Sequence, residues 1–186
     1  IEIYESVSAP IGYALHATNV ATAYFFTGDM DKATQYFALA VELDPKEAEL
    51  RRNYGDVLLR IGDRQAAEAE YREAVGLMDE KLAVSPDDRD LLRRRAMYRA
   101  KSGDCEAAVS EAEQLQSSPP TTTYGGHQFA YIYALCGTRD QALEAVHKAI
   151  ELGISPELMA QEDEFSALRD DPEFQGLTGG TGASPD

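Results

Sequence analysis

The sequence predicts an all-α protein of four helix-turn-helix hairpins closed by a C-terminal capping helix. Three observations lead there. A central Gly recurs at Gly28, Gly62, Gly103 and Gly137, with spacings of 34, 41 and 34 residues. A small apolar residue follows each at the same offset: Ala33, Ala67, Ala108 and Ala142. The composition is rich in Ala and free of Trp, with few Val/Thr runs, which favours helix over strand.

The first hairpin runs from Ala14 to Glu47. Gly28-Asp29 divides it and Asp44-Pro45 ends it. Gly ends a helix at low cost because it accepts a left-handed backbone; Asp caps the next helix, and Pro refuses to continue one. Ala33, Phe37 and Ala40 are spaced four and three apart and so share one helix face. The second hairpin, 48–88, repeats the pattern with Tyr54-Gly55, Leu58, Gly62-Asp63, Ala67, Tyr71 and Ala74. The wider spacing that follows is an insertion of seven residues, almost two helical turns, which lengthens a helix without rotating its apolar face. Met78, Leu82 and Ala83 continue the stripe, so one long helix is predicted over Arg64–Val84. The third hairpin, 89–122, carries Leu92, Ala96, Gly103-Asp104, Ala108, Ala112, Leu115 and Pro120. The fourth, 123–156, carries Phe129-Ala130, Tyr133, Gly137, Ala142, Val146 and Ala149.

Residues 1–13 read as an N-terminal arm or the remnant of a preceding element. Ser155-Pro156-Glu157 is a helix start, with a capping hydroxyl and Pro at the first turn. Leu158, Phe165, Leu168, Phe174 and Leu177 stand out in an acidic stretch and are assigned to a cap, 157–177, over the last hairpin. Residues 178–186 are rich in Gly, Ser and Thr, without core candidates, and read as a disordered tail.

The chain of 186 residues is 44% hydrophobic and 27% charged, which suits a folded domain or a short repeat array. A formal net charge of -16 argues against nucleic acid or anionic lipid as partner. No apolar run approaches the ~20 residues of a membrane-spanning helix. The chain begins at Ile1 rather than Met, which suggests a piece of a longer polypeptide. Cys105 and Cys136 are expected as two half-buried thiols; a bridge between them is open because stacked hairpins bring those turn ends together.

Nothing in the sequence calls for catalysis, a metal or a cofactor. The Gly-rich stretch Gly176–Gly182 lacks the Lys-Ser/Thr pair of a phosphate loop. His16, His127 and His147 are isolated, with no zinc-ligand spacing. There is no Gly-x-Ser-x-Gly elbow. Asp87-Asp88 and Asp170-Asp171 sit beside Pro in turns, where capping accounts for them.

The 34-residue period with its fixed small and large apolar offsets resembles the tetratricopeptide repeat. That resemblance covers about three-quarters of the chain and implies a right-handed α-superhelix, a non-catalytic interaction module whose first helices line a concave groove. Carried over residue by residue, the groove positions are Asn19, Thr22 and Phe26 in the first hairpin, with Thr18 and Phe25 beside them. In the second they are Arg52, Asn53 and Asp56, with Leu59; in the third Arg93, Arg94, Met97 and Lys101; in the fourth His127 and Tyr131, with Tyr124. The stretch Arg89–Lys101 has six basic residues and one acid, a net of +5 in an acidic chain, so an acidic peptide or helix is the expected partner. The family's two-carboxylate clamp matches only at Asn53 and Arg94; Thr18, Thr22 and Asp90 replace its other members. Arg95 and Arg99, at positions the family keeps apolar, are expected to pair with Glu68, Glu70 or Glu73 on the long helix.

The segment from Asp163 to Phe174 also resembles the closing stretch of bacterial tetratricopeptide proteins, often C-terminal to Ser/Thr kinases or adenylyl cyclases. The alternative reading is therefore a regulatory or sensory domain of such a signalling enzyme. The expected compartment is the cytoplasm, or an extracytoplasmic space if the array belongs to a membrane-bound receptor kinase. The helix from Leu77 to Val84, if exposed, offers a route to a homodimer.

Overall fold

A computed structural model describes residues 10–116 and 122–179. Within them the regular structure is wholly helical: α1 (Pro10–Thr27), α2 (Met30–Leu43), α3 (Ala48–Arg60), α4 (Arg64–Val84), α5 (Arg89–Ser102), α6 (Cys105–Leu115), α7 (Thr123–Cys136), α8 (Arg139–Glu151), α9 (Pro156–Gln161), a 3-10 helix (Asp163–Leu168) and α10 (Pro172–Thr178). The chain forms two compact units, Ile1–Lys81 and Leu82–Asp186. The boundary falls inside α4, in the lengthened part of the helix.

Three of the four central turns share one backbone solution. Gly28, Gly62 and Gly103 take φ of +84°, +90° and +86°, a conformation that a Cβ would strain. The following Asp closes back across the turn, its N–H donating to Tyr24 O (3.0 Å), Leu58 O (2.9 Å) or Arg99 O (2.9 Å). Its own carbonyl then accepts from Ala33, Ala67 or Ala108 N at 3.0–3.1 Å, which places each Ala in the first turn of the second helix. The fourth turn differs. Gly137 has φ of -85°, and a Cβ there would lie 2.9 Å from Tyr133 O and from its ring, so close approach selects this Gly. Thr138 caps α8 through a capping box with Gln141, and Ala142 N still donates to Thr138 O at 3.0 Å. All four Ala residues are buried, at 0–2% exposure.

In the first unit, Ala21, Ala33, Phe37 and Val57 form one cluster, and Ala14, Ala17, Ala40 and Leu50 another. Leu58, Ala67 and Tyr71 join α3 to α4. Gly55 is needed here, because a Cβ on it would sit 2.6 Å from the buried Tyr71 ring. Burying a large side chain such as Phe37 contributes about 2–3 kcal/mol by transfer from water. In the second unit the buried sets are Ala96, Met97, Tyr98 and Ala100 on α5 and Ala108, Ala112 and Leu115 on α6. Phe129, Ala130, Ile132 and Tyr133 on α7 face Ala142, Leu143, Val146 and Ala149 on α8.

Several expectations are corrected. Residues 10–13 of the supposed arm belong to α1, Pro10 supplying the preset φ of a helix start; residues 1–9 lie outside the described residues. Of the supposed tail, Thr178 is helical and buried, its hydroxyl donating to Phe174 O (2.8 Å); residues 180–186 lie outside the described residues. In the cap, Met159 is the buried residue of α9, while Leu158 is 48% exposed. Helix α4 spans the predicted residues as one element, but Met78 and Leu82 are buried and Ala83 is exposed. At its C-terminal end Val84 presents an exposed apolar side chain.

Cys105 and Cys136 are joined in a disulfide, with Cα atoms 5.0 Å apart, rather than standing as two thiols. The bridge ties the N-terminus of α6 to the C-terminus of α7, the two turn ends that neighbouring hairpins bring together. With a sequence separation of 31, loop closure contributes about 3–4 kcal/mol by limiting the unfolded chain. Replacing both cysteines with Ser is expected to lower stability by about that amount in urea unfolding, whereas the wild type is expected to keep two oxidised sulfurs in non-reducing thiol titration.

Candidate interaction site

The first helices of the hairpins carry the predicted groove residues, and the structure treats the two units differently. In the first unit, Asn19 and Phe26 lie on the exposed face of α1, Phe26 at 82% exposure, with Thr22 half-buried beside them. The Thr22 hydroxyl donates to Thr18 O at 2.8 Å, satisfying itself on the helix. On α3, Arg52 pairs with Asp56 at 2.8 Å and Glu49 at 3.5 Å. Asp56 also accepts from the Tyr71 hydroxyl at 2.8 Å. Arg52 and Asp56 thus belong to a network over the Gly55-Tyr71 contact, and half-buried Asn53 lies between them in sequence.

In the second unit, α5 and α7 present a row of cations and rings. Arg94 lies over the Tyr124 ring at 5.6 Å, and Lys101 over the Tyr131 ring at 5.4 Å. The Arg93 Nε donates to Gln128 Oε1 at 2.8 Å, and its guanidinium also pairs with Asp90. Gln128 is almost wholly buried; sequence reasoning passed over it because an amide in mid-helix carries no pattern of its own. Met97, predicted for the groove, is instead a core residue at 4% exposure. Arg95 and Arg99 pair with Glu111 of α6, in their own hairpin, rather than with the acids expected on α4. Glu70 and Glu68 pair with Arg51 and Arg72 in the first unit.

Lys101, His127 and Tyr131 are not open. The chain beyond α9 returns across α7, and each of the three meets a residue of this returning segment. His127 Nε2 lies 2.8 Å from Glu162 Oε2, Lys101 Nζ pairs with Glu164, and the Tyr131 ring lies 5.6 Å from the Phe165 ring. Only 3% of the Lys101 side chain remains exposed. Phe165 is buried and stacks on Phe174 at 5.8 Å. The sequence signal for these contacts was the run Glu162-Asp163-Glu164-Phe165, read only as part of a cap.

The cap is held to the last hairpin by a separate contact. Arg139 at the start of α8 donates to Asp171 through Nε (2.6 Å) and Nη2 (3.0 Å), and reaches Glu173 at 3.1 Å. Asp171 also caps α10, accepting from Glu173 and Phe174 N. The guanidinium holds the Asp171 carboxyl below the usual carboxylate range.

Elsewhere, a cleft of about 430 Å³ between α7 and α8 is lined by Phe129, Tyr133, Glu144 and His147 among others. None of the predicted site residues lines it. Among the described residues, no group of three or more His, Cys, Asp or Glu is placed to hold a metal ion, and no helix is long and apolar enough to cross a membrane.

Residues 18–47 and 48–77 each match the tetratricopeptide repeat. Solved structures similar to the chain include YrrB, described as a TPR protein with an unusual peptide-binding site, at 17% identity over 75% of this chain and 86% of that one, with a TM-score of 0.36. A MamA structure matches at 21% identity over 74% and 77%, with a TM-score of 0.42. MamA from residue 41 to its end, from Desulfovibrio magneticus RS-1, matches at 17% over 92% and 97%, with a TM-score of 0.41. No curated protein matches the chain.

Two outcomes are expected. Lys101→Met leaves Glu164 without its ammonium partner at a largely buried site and is expected to cost about 2–4 kcal/mol. The double variant Lys101→Met/Glu164→Leu should lose clearly less, which urea unfolding of the full mutant cycle would measure. As for pH, a depressed folded pKa gives Asp171 a contribution fully present above its unfolded value, near ~3.9, and lost as pH falls through the folded one. Amide exchange in the helix 172–178 should therefore accelerate below about pH 4, and Asp171→Asn should remove that acid dependence.

Proposed function

With two tetratricopeptide repeats present at 18–47 and 48–77, we propose that the chain is a non-catalytic protein-interaction module taking an acidic partner peptide or helix on the face of α5 and α7. The repeats supply the scaffold class; the partner chemistry rests on side chains. The observation that carries the reading is Arg93 and Arg94 set beside the exposed ring of Tyr124, in a chain of net charge -16, with Lys101 and Tyr131 farther along the same face covered by Glu164 and Phe165. A local cationic strip on an acidic body steers an acidic segment to one place and repels it elsewhere.

Arg94 is the residue to test. It is half-buried over Tyr124, whereas Arg93 also holds buried Gln128 and its loss would disturb the α5–α7 contact. Labelled peptide pools rich in Glu and Phe, and matched pools with Gln for Glu, would be titrated by fluorescence anisotropy. The acidic pool should bind preferentially and lose at least tenfold in affinity with Arg94→Glu, while the helical circular dichroism stays unchanged. Equal binding of acidic and neutral pools, or no effect of Arg94→Glu, would overturn the reading.

A further inference from the structure

We propose that Glu162–Phe165 is an internal ligand, and that the surface it covers on α5 and α7 takes in trans a peptide of the same chemistry, Glu-x-Glu followed by an aromatic residue. The inference rests on the reading of the chain as an interaction module and names the partner of that site.

Three observations support it. First, the segment engages side chains in the manner of a bound peptide. Glu162 meets His127, Glu164 meets Lys101 and Phe165 meets Tyr131, three receptors from two helices for three residues within four positions. Second, the polar contacts of the stretch are separate from those that hold α10 to α8, while Phe165 also stacks on Phe174 of α10. Anchorage to α8 runs through Arg139 with Asp171 and Glu173, beyond the 3-10 helix, while the Glu162–Phe165 stretch turns to α7 and α5. Third, the stretch is a short irregular turn rather than part of a long helix, with Arg169 bracing it by donating to Gln161 O (3.3 Å) and Glu162 O (3.2 Å). Glu162 is extended at φ -73° and ψ 139°, and the 3-10 turns close through long bonds, Phe165 N to Glu162 O at 3.3 Å and Arg169 N to Ser166 O at 3.4 Å. Ion pairs of this kind confer selectivity more than net stability, so an incoming acidic peptide replaces like with like.

The test uses a labelled peptide with the sequence of residues 160–170 and the full chain. The double variant Glu162→Gln/Glu164→Gln weakens the internal contact and keeps Phe165. It should bind the peptide at least tenfold more tightly than wild type, and a peptide with both Glu changed to Gln and Phe to Ala should not bind. Equal affinity of variant and wild type, with the helical signal intact, overturns the inference. If the variant loses its helical signal, hydrogen exchange on the wild type decides: saturating peptide should speed exchange across 162–168, and unchanged exchange overturns the inference. If the acidic pool still binds in an Arg94-dependent way while this peptide does not, the module reading stands and the internal ligand falls. If neither binds, both fall.

Discussion

The packing of this chain depends on one small hydrogen-bonded device, the Gly-Asp turn that delivers an Ala into the first turn of the following helix. In three hairpins the left-handed Gly lets the next N–H close back on the preceding helix. The same step places Ala33, Ala67 and Ala108 where they are fully buried. A larger side chain there would hold the helices apart, and the contacts of Phe37 or Tyr71 would be lost with it. In the fourth hairpin Thr138 and Gln141 reach the same end by a capping box, with Gly137 chosen for lack of space rather than for its dihedral angle.

Periodic features of the fold were readable from the sequence because they are local. The long helix α4 followed from a seven-residue insertion, and the turns followed from Gly and Asp. The candidate site was less legible, because it depends on which distant segment arrives at a given face. Met97 sits at a ligand-contact position by repeat register, yet in this structure it is core. Arg95 and Arg99 needed an acid, but nothing in the order of residues told Glu111 from the acids of α4. The return of Glu162, Glu164 and Phe165 onto α5 and α7 is a tertiary event with no periodic trace. Likewise, the partnership of Cys105 and Cys136 depended on how two turn ends meet.

Charge is distributed with similar economy. The strongly basic helix α5 is set in an acidic chain, and most of its cations meet acids of the second unit: Arg93 with Asp90, Arg95 and Arg99 with Glu111, Lys101 with Glu164. Arg94 rests on the Tyr124 ring, as Lys101 does on that of Tyr131. The basic strip therefore presents much less positive charge than its sequence suggests, and Lys101 near its C-terminal end is met by Glu164 of the returning segment.

The bridge between Cys105 and Cys136 has a consequence for how the second unit comes apart. Chains of stacked hairpins ordinarily fray from an end, one unit at a time, because each contacts only its neighbours. A covalent tie between α6 and α7 prevents the fourth hairpin from peeling away from the third. Under a pulling force or a protease, α5 through α8 would yield as a single mechanical block, and a reducing agent would divide that block into two.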